Sequence, residues 1–242
     1  MTESGTVPRS PKLYLLDVEG TVAPLTLTSE LLFPYARTHL ADFLKRNLAR
    51  PEVQDDLKLL AAENRAEESQ VCPTYGIEIR NELHARAYLT WLMDQDRKST
   101  ALKSLQGKIW KSGFESGELQ GTLFDDVPAA FQSWSQQGRV AIYSSGSTEA
   151  QQLLFRHSTF GDLTPLIAGY FDTRAGTKGE PASYAAIAAA MQVAPAEVLF
   201  FSDVVRELDA AREASCGTRL VVRPGNAAVD ARHAHQIIES LI

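Results

Sequence analysis

Four short apolar runs, at residues 13–16, 140–143, 198–201 and 220–222, most narrow what this chain can fold into. Each is too short for a helix of ordinary length and long enough for a buried strand. A fifth run, at 166–171, is weaker. Between them lie helix-like stretches at 148–155, 181–191 (alanine-rich, with Pro181 near a first turn) and 204–214. Strand alternating with helix predicts an α/β fold, a Rossmann-like parallel sheet wrapped by helices. From about Leu25 to Gly121 the pattern changes to helical stretches at 30–48, 52–63 and 85–93, with no convincing strand. That interval reads as a separate helical cap inserted after the first strand, at residues 25–121, leaving 11–24 and 122–242 as the α/β core. Gly113, Gly117 and Gly121 cluster at its far end, where a hinge can sit.

Residues 1–10 are polar, with two prolines, and read as a disordered tail, because a signal peptide needs an apolar segment. No apolar stretch approaches the ~20 residues of a membrane helix, so no membrane partner is expected. A net charge of −6 argues against a nucleic-acid partner, which calls for a basic face. Cys72 and Cys216 lie far apart, outside any metal spacing, and fit a reduced, cytoplasmic protein. The default expectation for assembly is a monomer.

In parallel α/β sheets ligands collect beyond the carboxyl ends of the strands. The first run ends in Asp17-Val18-Glu19-Gly20-Thr21, the second in Ser144-Ser145-Gly146-Ser147 and the third in Ser202-Asp203, with Glu207 a helical turn further on. Neighbouring strands would bring Asp17 and Asp203 together. Two close carboxylates repel unless a cation lies between them, and hard oxygen ligands suit Mg²⁺. Beside such an ion Asp17 stays ionised and can attack phosphorus in line, forming an aspartyl-phosphate. Glu19, two residues on in extended chain, faces the same way and suits a proton donor of raised pKa. Gly20 permits a tight turn, and the Thr21 hydroxyl either orients Asp17 or caps that turn.

Ser144 and Ser145 offer hydroxyls, and Gly146 allows close backbone approach. Thr148 and Gln151 fit a capping box, which starts a helix whose amides favour a phosphate oxygen. Lys178, in a loop punctuated by Gly176 and Gly179, can neutralise phosphate. No P-loop and no Gly-x-Gly-x-x-Gly is present. His39, His84, His157, His233 and His235 are scattered and read as surface residues.

This order of groups resembles the haloacid dehalogenase-like superfamily, in which the first aspartate is the nucleophile and phosphatases usually carry aspartate two residues later. Glu19 departs from that pattern and narrows the choice. The closer resemblance is to the enolase-phosphatases (acireductone synthases) of methionine salvage. It is carried by residues 16–21 followed by Leu32-Phe33-Pro34-Tyr35-Ala36-Arg37, by Leu105-Gln106-Gly107-Lys108-Ile109-Trp110, by Gly113-Phe114-Glu115-Ser116-Gly117-Glu118-Leu119, by residues 143–147, and by residues 170–178. Val22 and Ala23 depart from the polar residues that family often has there. The resemblance implies a bifunctional enzyme that enolises 2,3-diketo-5-methylthiopentyl-1-phosphate and then dephosphorylates it to the acireductone. It implies one Mg²⁺ per subunit held by Asp17, the Glu19 carbonyl and Asp203, with Asp17 as nucleophile and the Glu19 side chain as acid/base. Ser144, Ser145 and Lys178 would bind substrate, and Glu207 would support the metal from outside its ligand set. The enolising base stays open between Glu19 and a cap residue, and the cap would close over the substrate. A phosphatase of the same superfamily acting on another small phosphate ester is the alternative. A catalytically silent interaction module would lack one of Asp17, Lys178 or Asp203, and all are present.

Overall fold

A computed structural model describes residues 10–228 and 233–242. The polar tail expected over 1–10 therefore lies, but for Ser10, outside the described residues. The chain divides into two compact units, one made of the chain up to Leu27 with Gln120–Ile242, the other of Thr28–Leu119.

The first unit begins with β1 (Leu13–Leu16), then α5 follows the four helices of the other unit. In chain order, α1 is Phe33–Asn47, α2 Pro51–Arg65, α3 Glu82–Asp94, α4 Thr100–Ser116 and α5 Val127–Gln137. Then come β2 (Arg139–Tyr143), α6 (Thr148–Arg156), β3 (Ile167–Phe171), α7 (Pro181–Ala190), β4 (Val198–Ser202), α8 (Val205–Glu213), β5 (Gly217–Val221) and β6 (Gln236–Ile238). The six strands form one parallel sheet in the order β3-β2-β1-β4-β5-β6, as the alternation predicts.

β1 is central because all four of its residues are apolar and buried on both faces. Leu13 and Leu15 join a core with Tyr143, Tyr184, Ile187, Phe200 and Leu208. Tyr14 turns to the other face and stacks on Trp134 at 4.8 Å, and Trp134 stacks on Phe201 at 5.0 Å. Register matters for function here: Leu16 is level with Ile142 on β2 and Phe201 on β4, so the residues that follow these strands emerge side by side.

Some expectations are corrected. The last apolar run marks only the end of β5, which starts earlier at Gly217, because Thr218 and Arg219 pair with the buried β4 as well as leucine would. β6 was not expected because it is only three residues long, Gln236–Ile238, at the exposed edge of the sheet. His235, read as a surface residue, is 6% exposed: its ring meets the Thr218 hydroxyl at 2.8 Å and Asp209 at 3.1 Å. Both cysteines are free and buried.

The regular elements of the second unit are all helices among its described residues. Leu40 and Leu44 of α1, Leu60 of α2, Tyr88 and Leu89 of α3, and Leu105 and Ile109 of α4 close its core. α4 begins at Ser99, whose hydroxyl accepts the Leu102 amide at 2.9 Å, and ends at Gly117, whose φ of 79° closes the helix in the left-handed region. Gly113 lies within α4 beneath Tyr35, where a Cβ would come within 2.6 Å of the ring. Trp110 donates its indole N–H to the Leu32 carbonyl at 2.7 Å.

Candidate active site

Asp17 is the first residue beyond β1, 5% exposed, its amide donating to the Phe201 carbonyl at 2.9 Å. The chain then turns sharply. The amides of Thr21, Val22 and Ala23 converge on the Val18 carbonyl at 3.2, 2.9 and 2.9 Å, and the Gly20 amide donates to the Ala23 carbonyl at 2.7 Å. Gly20 makes the turn possible twice over. Its φ is 76°, a left-handed conformation that costs other residues about 1–2 kcal/mol. A Cβ there would also lie 2.6 Å from Asp203 Cγ, so the Asp203 carboxylate rests directly on the glycine.

Lys178 reaches this point from the loop after β3, one strand beyond β2. Its ammonium contacts Asp17 Oδ1 and lies 3.3 Å from Glu207 Oε2. The loop is held by its carbonyls: Tyr143 donates to Gly176 at 3.0 Å, Ser183 to Thr177 at 2.7 Å and Tyr184 to Lys178 at 2.8 Å. Burial alone would lower the lysine pKa, but Asp17 and Glu207 outweigh it and hold the ammonium more basic than usual. Glu207 also accepts the Ser202 hydroxyl at 2.9 Å, while burial pushes its own pKa up. Its contacts thus tie it to the cation of the site.

Asp203 is the strained member. Burial first, and Asp17 second, push its pKa up to about 7, and its buried Oδ1 has no hydrogen-bond partner. A buried carboxylate with an unsatisfied oxygen and a like charge beside it is the environment a cation relieves. The donors are hard oxygens, so the site's chemistry fits a divalent ion such as Mg²⁺. Among the described residues no three His, Cys, Asp or Glu side chains gather as one ligand group, so backbone or solvent oxygens would complete any coordination.

Of the sequence-predicted residues, Asp17, Lys178 and Glu207 are brought into contact, and Asp203 adjoins them through Gly20. Glu19 is half-buried, and its backbone bridges to Ala23. Ser144 is 5% exposed just beyond β2, its hydroxyl accepting the Gly146 amide at 3.1 Å, whereas Ser145 is exposed. The helix start is one residue earlier than the capping-box reading. Ser147 is the cap, accepting the Ala150 amide at 3.2 Å. That puts Gln151 one position too late to complete a box, and its side-chain amide instead donates to the Gly146 and Phe171 carbonyls at 2.8 and 2.9 Å.

Sequence reasoning missed the residues beyond β5. Arg223 donates through Nε to the Thr21 carbonyl at 3.1 Å and forks onto Asp126 at 2.8 and 2.9 Å; Asn226 donates to the Gly20 carbonyl at 2.9 Å. The available signal was position, since a polar Arg-x-Gly-Asn segment follows another parallel strand.

The model for the haloacid dehalogenase-like hydrolases matches residues 11–215. A curated relative from Synechococcus elongatus, described as Enolase-phosphatase E1, is 53% identical over 93% of this chain and 94% of its own length. One of the same description from Drosophila mojavensis is 42% identical over 93% of this chain and 90% of its own. Among solved structures, the UTR4 protein of Saccharomyces cerevisiae superposes with a TM-score of 0.79 at 33% identity, covering 95% of this chain and 98% of that one.

Proposed function

This chain belongs to the haloacid dehalogenase-like hydrolase family and, within it, to the enolase-phosphatases, and from that premise we propose how its site works. The enzyme converts 2,3-diketo-5-methylthiopentyl-1-phosphate to the acireductone 1,2-dihydroxy-3-keto-5-methylthiopentene and phosphate, in methionine salvage. The observation that carries the mechanism is the buried Asp17 carboxylate, in contact with the Lys178 ammonium at the end of the central strand.

Asp17 is the nucleophile. A carboxylate oxygen of Asp17 forms a bond to phosphorus as the ester P–O bond breaks, and Glu19 gives a proton to the departing oxygen. Water then attacks the aspartyl-phosphate and Glu19, now a carboxylate, takes the water's proton, which restores both groups. Lys178, already against Asp17, offsets the charge of the phosphoryl oxygens, and the Ser144 and Ser145 hydroxyls with the neighbouring loop orient them. Asp17 and Asp203, with the Glu19 carbonyl, are the groups that would hold one Mg²⁺. When bound, the ion supplies positive charge that offsets the phosphate and stabilises oxygen anions developing beside a carbonyl. Glu207 holds Lys178 in place.

The same reading makes the enzyme a cytoplasmic monomer whose partner is the small phosphorylated diketone, with neither nucleic acid nor membrane as ligand. The net charge of −6 supports the absence of a nucleic-acid ligand, and no helix among the described residues is long and apolar enough to cross a membrane.

The test follows the diketo substrate by absorbance, and phosphate release in parallel, with Mg²⁺ or with EDTA. An enol species should rise before phosphate, and EDTA should suppress phosphate release. Faster hydrolysis of sugar or nucleotide phosphates than of the diketo ester would overturn the substrate assignment.

A further inference from the structure

The peptides that follow Glu19 in the turn after Asp17 are held by hydrogen bonds, and their outer partners lead away from the site. The Glu19–Gly20 peptide is fixed through its amide, which donates to Ala23. The next two peptides, Gly20–Thr21 and Thr21–Val22, are fixed on both sides. Their amides go to the Val18 carbonyl, and their carbonyls are taken by Asn226 Nδ2 at 2.9 Å and Arg223 Nε at 3.1 Å. Two side chains three residues apart, on the segment that follows β5, thus hold the outer edge of the turn whose inner edge carries Asp17, Glu19 and the glycine under Asp203.

Neither donor can swap roles. Asn226 Nδ2 faces two carbonyls, Gly20 at 2.9 Å and Val221 at 3.4 Å, so the nitrogen and not the oxygen must point there. Arg223 is 7% exposed and makes four hydrogen bonds: besides Thr21 it gives two bonds to Asp126 and one to the Glu239 carbonyl at 3.1 Å, and it lies over the Phe124 ring at 4.5 Å. Asp126 is fixed in turn by the Ser240 hydroxyl at 2.9 Å and the Leu241 amide at 2.8 Å.

We infer that Asn226 and Arg223 are positioning residues for the reaction, setting the orientation of the Glu19–Thr21 peptides and hence the aim of Asp17 and Glu19 and the oxygen that Glu19 offers to a cation. The inference rests on the reading of Asp17 as nucleophile. Neither residue touches substrate in this account, and both act through the turn.

The test uses the full chain with Asn226→Asp, which keeps size and reverses the hydrogen-bonding sense, beside Asn226→Ala, Arg223→Lys and Asp17→Asn. Asn226→Asp should lower kcat roughly 100-fold, as expected when reacting groups lose alignment, with KM for the diketo ester within about threefold of wild type. Mg²⁺ binding without substrate, measured by calorimetry, should weaken roughly tenfold, the upper end of what one neutral hydrogen bond is worth. Asn226→Ala should fall between wild type and Asn226→Asp on both readouts. Arg223 is buried and its variant can fail to fold, so the Asn226 pair decides. Melting temperatures of the Asn226 variants should stay within a few degrees of wild type. Activity that falls only in step with melting, and recovers on cooling, would overturn the positioning role. An inactive Asp17→Asn together with a wild-type-like Asn226→Asp would overturn this inference alone. An active Asp17→Asn would overturn the reading of the site and this inference with it.

Discussion

Arg223 and Asp126 in the sheet unit leave 6% and 12% of their side chains exposed, while Arg37 and Asp94 in the helical unit leave 49% and 47%, although the two pairs close to 2.8 and 2.6 Å. Equal distances conceal different physics. The exposed pair trades water contacts for each other at little net gain, and salt screens it. The buried pair has already lost its water, so each member depends on the other and on the surrounding donors. The same holds more sharply for Lys178 between Asp17 and Glu207. The helical unit has an intermediate case in Lys108 and Asp56, 27% and 11% exposed, where Lys108 also donates to Ser104 at 2.8 Å. The sheet unit uses charge to fix positions at its strand ends, and the helical unit mostly uses it to solvate a surface.

The contrast can be broken at several points. The largest effect belongs to Asp17→Asn, which should cut phosphate release by three orders of magnitude or more, as expected for loss of a covalent nucleophile. Single-turnover quench experiments should find no phosphorylated protein in that variant.

Removing Asp126 comes next. Asp126→Ala leaves the Arg223 guanidinium buried without its fork and should cost about 3–5 kcal/mol of stability, read by urea unfolding. Its pH dependence has a definite sign. Burial works to raise the Asp126 pKa, but Arg223, the Leu241 amide and Ser240 outweigh it and hold the carboxyl below the ordinary aspartate value. A carboxyl lowered in the folded state contributes stability that is present above the unfolded value of about 3.9 and is lost as pH falls through the folded value. The stability gap between wild type and Asp126→Asn should therefore be full at pH 7 and shrink below about pH 4. A gap that widens in acid would contradict the assignment.

Gly20→Ala should reduce kcat by roughly one to two orders of magnitude, since the left-handed turn and the Asp203 carboxylate cannot both keep their places. A wild-type kcat would mean that the turn has slack which its hydrogen bonds do not suggest.

The smallest effect is expected at the exposed pair. Arg37→Gln should change stability by less than about 1 kcal/mol and lose even that in 1 M salt. A cost matching that of Asp126→Ala would erase the distinction between the units.

What could be read from the chain follows the same division. Strands buried on both faces announce themselves as unbroken apolar runs, so β1, β2 and β4 were legible, and with them the groups at their ends: Asp17, Ser144 and Asp203. Lys178 was legible through its glycine-punctuated loop, though nothing in the sequence said that it would meet Asp17. Elements defined by their neighbours were not legible. β6 is only three residues long, α4 is interrupted by Gly107 and Gly113, and α5 carries Pro128 at its start. Arg223 and Asn226 looked like ordinary loop residues because their partners are backbone carbonyls about two hundred positions away, and a carbonyl leaves no mark on composition.

The central position of β1 has a consequence for how the molecule is made. Among the described strands β1 is made first, yet its partner β2 follows more than a hundred residues later, and β4 later still. At synthesis rates of roughly 5–20 residues per second, its two hydrogen-bonding edges stay open for on the order of ten seconds. Over that interval the five intervening helices, α1 to α5, can form from local contacts, whereas Leu13–Leu16 has nothing to pair with and is sticky on both edges. The segment that leads into Asp17 is thus also the one most in need of a chaperone's cover during birth, and slowing translation after residue 120 should raise aggregation of the nascent chain more than slowing it after β4.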